Sequence, residues 1–106
     1  IQLNPYYRPW VRHPICINWF RLGNYENAYR ESLHFRMPEY HWDSLLKASA
    51  CGHLGRIEEG QASVRALLAL KPDFEQRGRI LIGRYIKFED IADRIIDGLG
   101  RLAMDI

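Results

Sequence analysis

The sequence predicts an all-α fold of about six antiparallel helices arranged as three hairpins. Three observations predict it. A short phrase occurs twice: Leu22-Gly23-Asn24-Tyr25-Glu26 returns as Leu54-Gly55-Arg56-Ile57-Glu58, with the two glycines 32 residues apart. A fixed period of that size, with a glycine turn between amphipathic segments, is the signature of a helical-hairpin repeat. Apolar residues recur at the spacing of a helix face along the chain, and no alternating strand pattern competes. Prolines close the units: Pro38 and Pro72 each follow a helical stretch, where a residue without an N–H cannot continue the helix.

Residues 1–9 read as the end of one element and a loop, punctuated by Pro5 and Pro9. The first helix is expected from about Arg8 or Pro9 to Leu22, marked by Trp10, Ile15, Trp19 and Leu22. Pro14 either occupies its first turn or kinks it, and Gly23-Asn24 ends it. The second helix is expected over about 25–35, with Tyr25, Ala28, Tyr29, Ser32 and Leu33 on one face; Met37-Pro38 stops it.

The third helix is expected over about 41–54, with Leu45, Leu46, Ala48, Cys51 and Leu54 inward. Gly52 inside it costs about 1 kcal/mol against alanine, which implies a neighbour that needs the space. The fourth, about 57–70, carries Ile57, Gly60, Val64, Leu67 and Leu68 on one side. Gly60 again implies a close crossing. Lys71-Pro72 ends it. Asp73 and Gln76 have capping-box spacing ahead of a fifth helix over about 74–85, with Leu81, Ile82 and Tyr85 apolar. The break near Lys87-Phe88 lacks glycine. The sixth helix, about 89–103, has the clearest stripe in the chain: Ile91, Ala92, Ile95, Ile96, Leu99, Leu102 and Ala103. Its acidic start, Glu89-Asp90, suits the positive end of the helix dipole.

The 106 residues fit one small domain, and 47% hydrophobic with 26% charged residues is too apolar for disorder. A net charge of +2 argues against a dedicated nucleic-acid binder. No apolar run reaches the roughly 20 residues that span a bilayer, and the first residues lack the basic start and apolar core of a signal peptide. Cys16 and Cys51 form no CxxC pair and read as buried free thiols, which suits a reducing cytoplasm. The chain has no initiator methionine and reads as part of something larger.

The helix–glycine–helix–proline grammar resembles the tetratricopeptide repeat, a family of about 34 residues per unit. Residues 41–74 match it through Ala48, Gly55, Ile57, Gly60, Leu68 and Pro72. Residues 8–40 match through Trp19, Gly23, Tyr25, Ala28 and a shifted Pro38. Leu3-Asn4-Pro5, in residues 1–7, resembles the close of a preceding repeat. Residues 75–106 depart from the consensus and read as a divergent capping hairpin. Pro72-Asp73-Phe74 with Gly98-Leu99-Gly100-Arg101-Leu102, and the opening around Pro5-Tyr6-Tyr7-Arg8-Pro9-Trp10, are similar to the C-terminal regions of certain bacterial proteins. Those carry tetratricopeptide repeats behind another module, often a class III adenylate/guanylate cyclase or a winged-helix DNA-binding domain.

The resemblance implies a right-handed solenoid whose first helices line a concave, partner-binding face. By that likeness the face would present His13, Ile17, Phe20 and Arg21 from the first repeat. Trp42, Leu45, Ser49 and His53 would come from the second, and Gln76, Arg79 and Gly83 from the last unit. Aromatics and arginine are the residues that dominate interface hot spots, and Phe20, Arg21, Trp42 and Arg79 stand out. Trp10, Trp19 and Trp42 equally suit packing between repeats. Members that clamp a terminal carboxylate use Lys and Asn where this chain has His13 and Ile17, which puts that ligand class in doubt.

Catalytic and metal chemistry have little support. His13-Pro14-Ile15-Cys16 and Cys51-Gly52-His53 supply zinc-type ligands without zinc-finger spacing, and Cys51 and His53 point apart on a helix. Gly78 to Arg84 loosely matches a phosphate loop but lacks its Lys-Ser/Thr ending and preceding strand; Gly78 and Gly83 read as packing glycines. His41-Trp42-Asp43 has no accompanying nucleophile. Arg77, Arg79, Arg84 and Lys87 cluster on the fifth helix, either as a solvated face or as a patch for an acidic partner or phosphates. The expectation is a non-catalytic, cytoplasmic scaffold without cofactor or metal, which docks a protein or peptide or self-associates as a homodimer. The alternatives are a dimerisation segment of a nucleotide cyclase and a weak nucleic-acid-binding module through the Arg77–Lys87 face.

Overall fold

The computed structural model describes residues 12–34 and 41–103. Within them the chain forms six helices: α1 (Arg12–Arg21), α2 (Tyr25–Ser32), α3 (His41–Leu54), α4 (Ile57–Leu70), α5 (Phe74–Tyr85) and α6 (Glu89–Gly100). No strand occurs among the described residues. The expectations on Pro5, Pro9, Trp10, Phe35, Met37 and Pro38 fall outside them.

The repeated phrase forms two equivalent turns. Gly23 and Gly55 adopt φ of +73° and +76°, a backbone region that L side chains rarely enter. Asn24 then caps α2, its Oδ1 accepting from the Asn27 N–H at 3.1 Å. Pro14 lies in the first turn of α1, where its missing N–H removes no helical bond. Leu22 and Ile57, expected on apolar faces, sit at the exposed rims of the two turns.

Asp73 does not close a capping box. Its backbone (φ −92°, ψ 12°) lies outside the extended geometry that brings a cap side chain back onto the helix. Its carbonyl accepts from Gln76 and Arg77 N–H groups instead, each at 3.1 Å.

α3 is the centre of the molecule. Trp42, Leu45, Leu46, Ala48, Ala50 and Cys51 are buried around its circumference, as befits a helix with neighbours on every side. α2 packs on α1 and α3, and α4 packs on α3. A polar cluster ties this stack together: the Tyr29 hydroxyl donates to Glu59 Oε2 at 2.7 Å, and the Arg56 guanidinium lies 4.5 Å over the Tyr29 ring. Gly60 makes room for Leu102 and Cys51, so the close crossing expected of it is present.

The third hairpin departs from a regular stack. In a continuing solenoid, α5 would lie along α3. Here α6 takes that place, packed across both α1 and α3. The sequence supplies the reason. α5 buries only Phe74, Gly78 and Ile82 and is otherwise studded with Arg77, Arg79 and Arg84. α6 carries the continuous stripe Ile91, Ala92, Ile95 and Leu99, which must be covered. Ala103, expected to extend that stripe, lies beyond the helix and is exposed. Gly83, expected to serve packing, faces open space.

Candidate functional site

The face expected to receive a partner is the face on which α6 lies. His13 is 1% exposed, and its Nε2 meets Asp43 Oδ1 at 2.5 Å, a bond that joins α1 to α3. Phe20 and Leu45 are buried in the core. Ser49 Oγ donates to the Ile95 carbonyl at 2.7 Å, and His53 Nε2 donates to the Arg94 carbonyl at 2.6 Å. These two bonds anchor the α6 backbone to α3, one helical turn apart. Trp42 is buried with its ring 4.2 Å from that of Tyr85. Of the expected face, then, six side chains serve internal packing. Gln76 and Arg79 are exposed on α5.

His53 also stacks flat on Tyr25, centroids 3.7 Å apart and planes 4° from parallel, with Phe20 edge-on to both. Burial pushes the His53 imidazole below its usual value, with the Arg94 hydrogen bond and Asp97 acting the other way.

Ile17 and Arg21 remain at the surface. They line a cleft of about 400 Å³ between α1 and the corner that joins α5 to α6. The corner is extended, with Ile86 at φ −102°, ψ 110° and Phe88 at φ −100°, ψ 116°. Successive side chains of an extended segment alternate in direction. Ile86 is buried, whereas Lys87 is exposed and lines the cleft. Ile91 contributes from the first turn of α6.

Phe88 breaks two local rules at this corner. It is 66% exposed, the most exposed of the large hydrophobic residues described. It also occupies the N-cap of α6, where it makes no side-chain cap bond. Ser, Thr, Asp or Asn would satisfy an orphan amide there and stabilise the helix by roughly 1 kcal/mol. A residue unfavourable both for solvation and for capping marks a place where local stability is subordinate to something else.

Arg21 is held in place. Its Nε and Nη2 donate to Asn18 Oδ1 at 3.1 and 3.0 Å, one turn earlier on α1. Both residues line the cleft. Arg94, from α6, donates through Nη1 to the Phe20 and Arg21 carbonyls at 3.1 and 3.0 Å. That places a cation at the negative end of α1 and fixes the cleft's α1 wall to α6.

The expected chemistry elsewhere is dispersed. Cys16 is buried and its Sγ donates to the Ala28 carbonyl at 3.3 Å. Burial raises its thiol far above the usual range and raises that of Cys51 to about 11. Among the described residues no His, Cys, Asp or Glu group is placed to hold a metal ion, and no helix is long and apolar enough to cross a membrane. Arg77 lies 4.0 Å from Asp73, so the Arg77–Lys87 face is not uniformly basic.

The cleft was only partly legible beforehand. Ile17 and Arg21 came from the tetratricopeptide likeness. Charge clustering points to Lys87, whereas Phe88 reads in the sequence only as a helix boundary. Its signal was an aromatic residue directly before the acidic pair Glu89-Asp90, where a capping residue belongs. No protein-family model matches the chain, and no curated protein or solved structure matches it either. The tetratricopeptide likeness rests on the residues quoted for it.

Proposed function

We propose that this chain is a non-catalytic scaffold that docks a protein partner in the cleft between α1 and the α5–α6 corner. The observation that carries the reading is Phe88: an exposed aromatic at a cap position, on the rim of an apolar cleft with Ile17 and Ile91. Interface anchors are typically such aromatics beside arginine, and Arg21 supplies the arginine. A cleft of about 400 Å³ suits one or two apolar side chains of a partner.

The non-catalytic part rests on where the reactive groups lie. Both thiols are buried and held protonated. His13 is joined to Asp43 and His53 to the α6 backbone. His13, His53 and Cys16 thus hold helices together. Free buried thiols also fit the reducing, cytoplasmic setting expected from the sequence.

The test is cross-linking of the chain to neighbouring proteins in a lysate, with wild type and Phe88→Ser compared by mass spectrometry. The expected result is a partner cross-linked through Lys87 that Phe88→Ser no longer captures. Equal capture by both proteins would move the interface away from the cleft.

A further inference from the structure

The charge of the cleft narrows what it can receive. Among the described residues that line it, the charged side chains are Arg21 and Lys87, both cations and both exposed. They flank an apolar floor built from Ile17, Ile86 and Ile91. The nearest carboxylates in sequence, Glu89 and Asp90, stand in the first turn of α6 and do not line the cleft.

We infer that the occupant is an acidic peptide segment of a partner protein, with one aliphatic or aromatic side chain inserted over Ile17 and Ile91 and flanking carboxylates on Arg21 and Lys87. This rests on the docking reading above and adds the chemistry of the partner.

Arg21 makes the case for carboxylate recognition. Its bonds to Asn18 use Nε and Nη2, which leaves the Nη1 edge to donate outward. The guanidinium is already ordered by its own helix, so a carboxylate bound there costs little further side-chain entropy. Guanidinium donors match carboxylate oxygens in geometry as well as charge. Lys87, on the other wall, is a flexible point charge that tolerates a range of acidic positions.

A second copy of the chain fits less well. A twofold pairing of cleft on cleft sets Arg21 and Lys87 of one copy against the same residues of the other, and like charges across an interface oppose association. A small free anion would leave the isoleucine floor uncovered. Nucleic acid needs an extended basic track, whereas Asp73 and Glu75 at the start of α5 and Glu89 and Asp90 at the start of α6 are exposed carboxylates.

The experiment is fluorescence anisotropy with three labelled peptides of about a dozen residues, long enough to cross the cleft at roughly 3.3 Å per residue. One has glutamates around a central Phe, one has lysines in place of the glutamates, and one has Ser in place of the Phe. The glutamate–Phe peptide is expected to bind, weakening as salt rises, and the other two to bind far less. Arg21→Glu with Lys87→Glu should weaken the glutamate–Phe peptide on the order of tenfold and gain binding to the lysine–Phe peptide. Both positions are exposed, so the variant keeps its fold, checked by its helical circular dichroism.

If the lysine–Phe peptide binds wild type as well as the glutamate–Phe peptide, the acidic partner is wrong while cleft docking stands. If none of the peptides binds, the acidic partner is also wrong, and the Phe88→Ser cross-linking comparison reports separately on docking. A concentration-dependent dimer in sedimentation that Phe88→Ser abolishes would assign the cleft to a second copy instead. Low-salt binding of a single-stranded oligonucleotide that the charge reversal abolishes would likewise overturn the inference.

Discussion

Gly52 and Gly98 meet where α6 crosses α3. A Cβ built on Gly52 would fall on the carbonyl group of Gly98, and one built on Gly98 would fall on the Ser49 carbonyl. The two backbones touch without intervening side chains. That contact lets Ser49 and His53 reach the α6 carbonyls of Ile95 and Arg94.

Alanine at either glycine should therefore destabilise the fold. Helix propensity alone favours alanine by about 1 kcal/mol, but here the obstacle is backbone rather than a movable side-chain end. Gly52→Ala and Gly98→Ala should each cost about 2 kcal/mol net, read as a lower urea midpoint. Gly83→Ala, whose Cβ meets nothing within 4 Å, should stabilise the chain by roughly 0.5–1 kcal/mol, read as a higher midpoint. Three shifts of the same sign would refute this packing.

Arg94 is the polar counterpart of that contact. Its Nη1 bonds to the Phe20 and Arg21 carbonyls at the end of α1. Charge-assisted bonds at a helix C-terminus combine hydrogen bonding with the dipole. Arg94→Ala should cost about 1–2 kcal/mol in chemical denaturation, and Arg94→Lys should recover part of it, since both bonds come from one nitrogen that an ammonium can replace. An unchanged midpoint in Arg94→Ala would remove the clamp from the account.

Phe88 separates stability from docking. Its backbone has the extended geometry of an N-cap. Phe88→Ser should therefore stabilise the chain by roughly 0.5–1 kcal/mol by capping α6, while abolishing capture of the partner. Thermal denaturation beside the cross-linking assay checks both halves. A loss of stability would show that the ring contributes packing and is not reserved for a ligand.

The positions of three helices were legible in the sequence, whereas α2 stops at Ser32, leaving Leu33 exposed, and α6 stops at Gly100, each three residues short of expectation. α3, α4 and α5 begin and end at the expected residues because Gly55, Pro72 and the apolar spacing leave little latitude. The turns at Gly23 and Gly55 and the need for space at Gly52 and Gly60 were legible for the same local reasons. What was not legible was which helix covers which. The repeat grammar around Gly23 and Gly55 implied that a third hairpin would stack by its first helix. Arg77, Arg79 and Arg84 deny α5 an apolar face broad enough for that, and the Ile91–Leu99 stripe of α6 takes its place. Gly52 and Gly98 lie 46 residues apart, and no spacing rule relates them. The corner cleft followed from this rearrangement. Ile17 and Arg21 lost their expected neighbours on α3 and gained Lys87 and Phe88.

Two half-buried histidines contribute to the response to acid. His41 is pushed below its ordinary value of 6.5 by burial and then by Lys71, and His53 by burial. The unfolded chain thus takes up protons at a higher pH than the native one. Their contribution is fully present above about pH 6.5 and is lost as the pH falls through the lower native values. The urea midpoint should drop between neutral and mildly acidic buffer, and less steeply in His53→Gln. A midpoint that rises on acidification would contradict the assignment.

α6 covers the face between α1 and α3, and the corner cleft exists only while it stays there. Residue-resolved native-state hydrogen exchange as a function of denaturant tests this most directly. Ile95 and Leu99 of α6 should open with the same free energy as Leu46 and Ala50 of α3, both equal to global unfolding. Opening of Ile95 and Leu99 at markedly lower free energy, with α3 still protected, would contradict it. The face of Leu45, Ser49 and His53 would then be the accessible site, and the corner cleft would lose its claim.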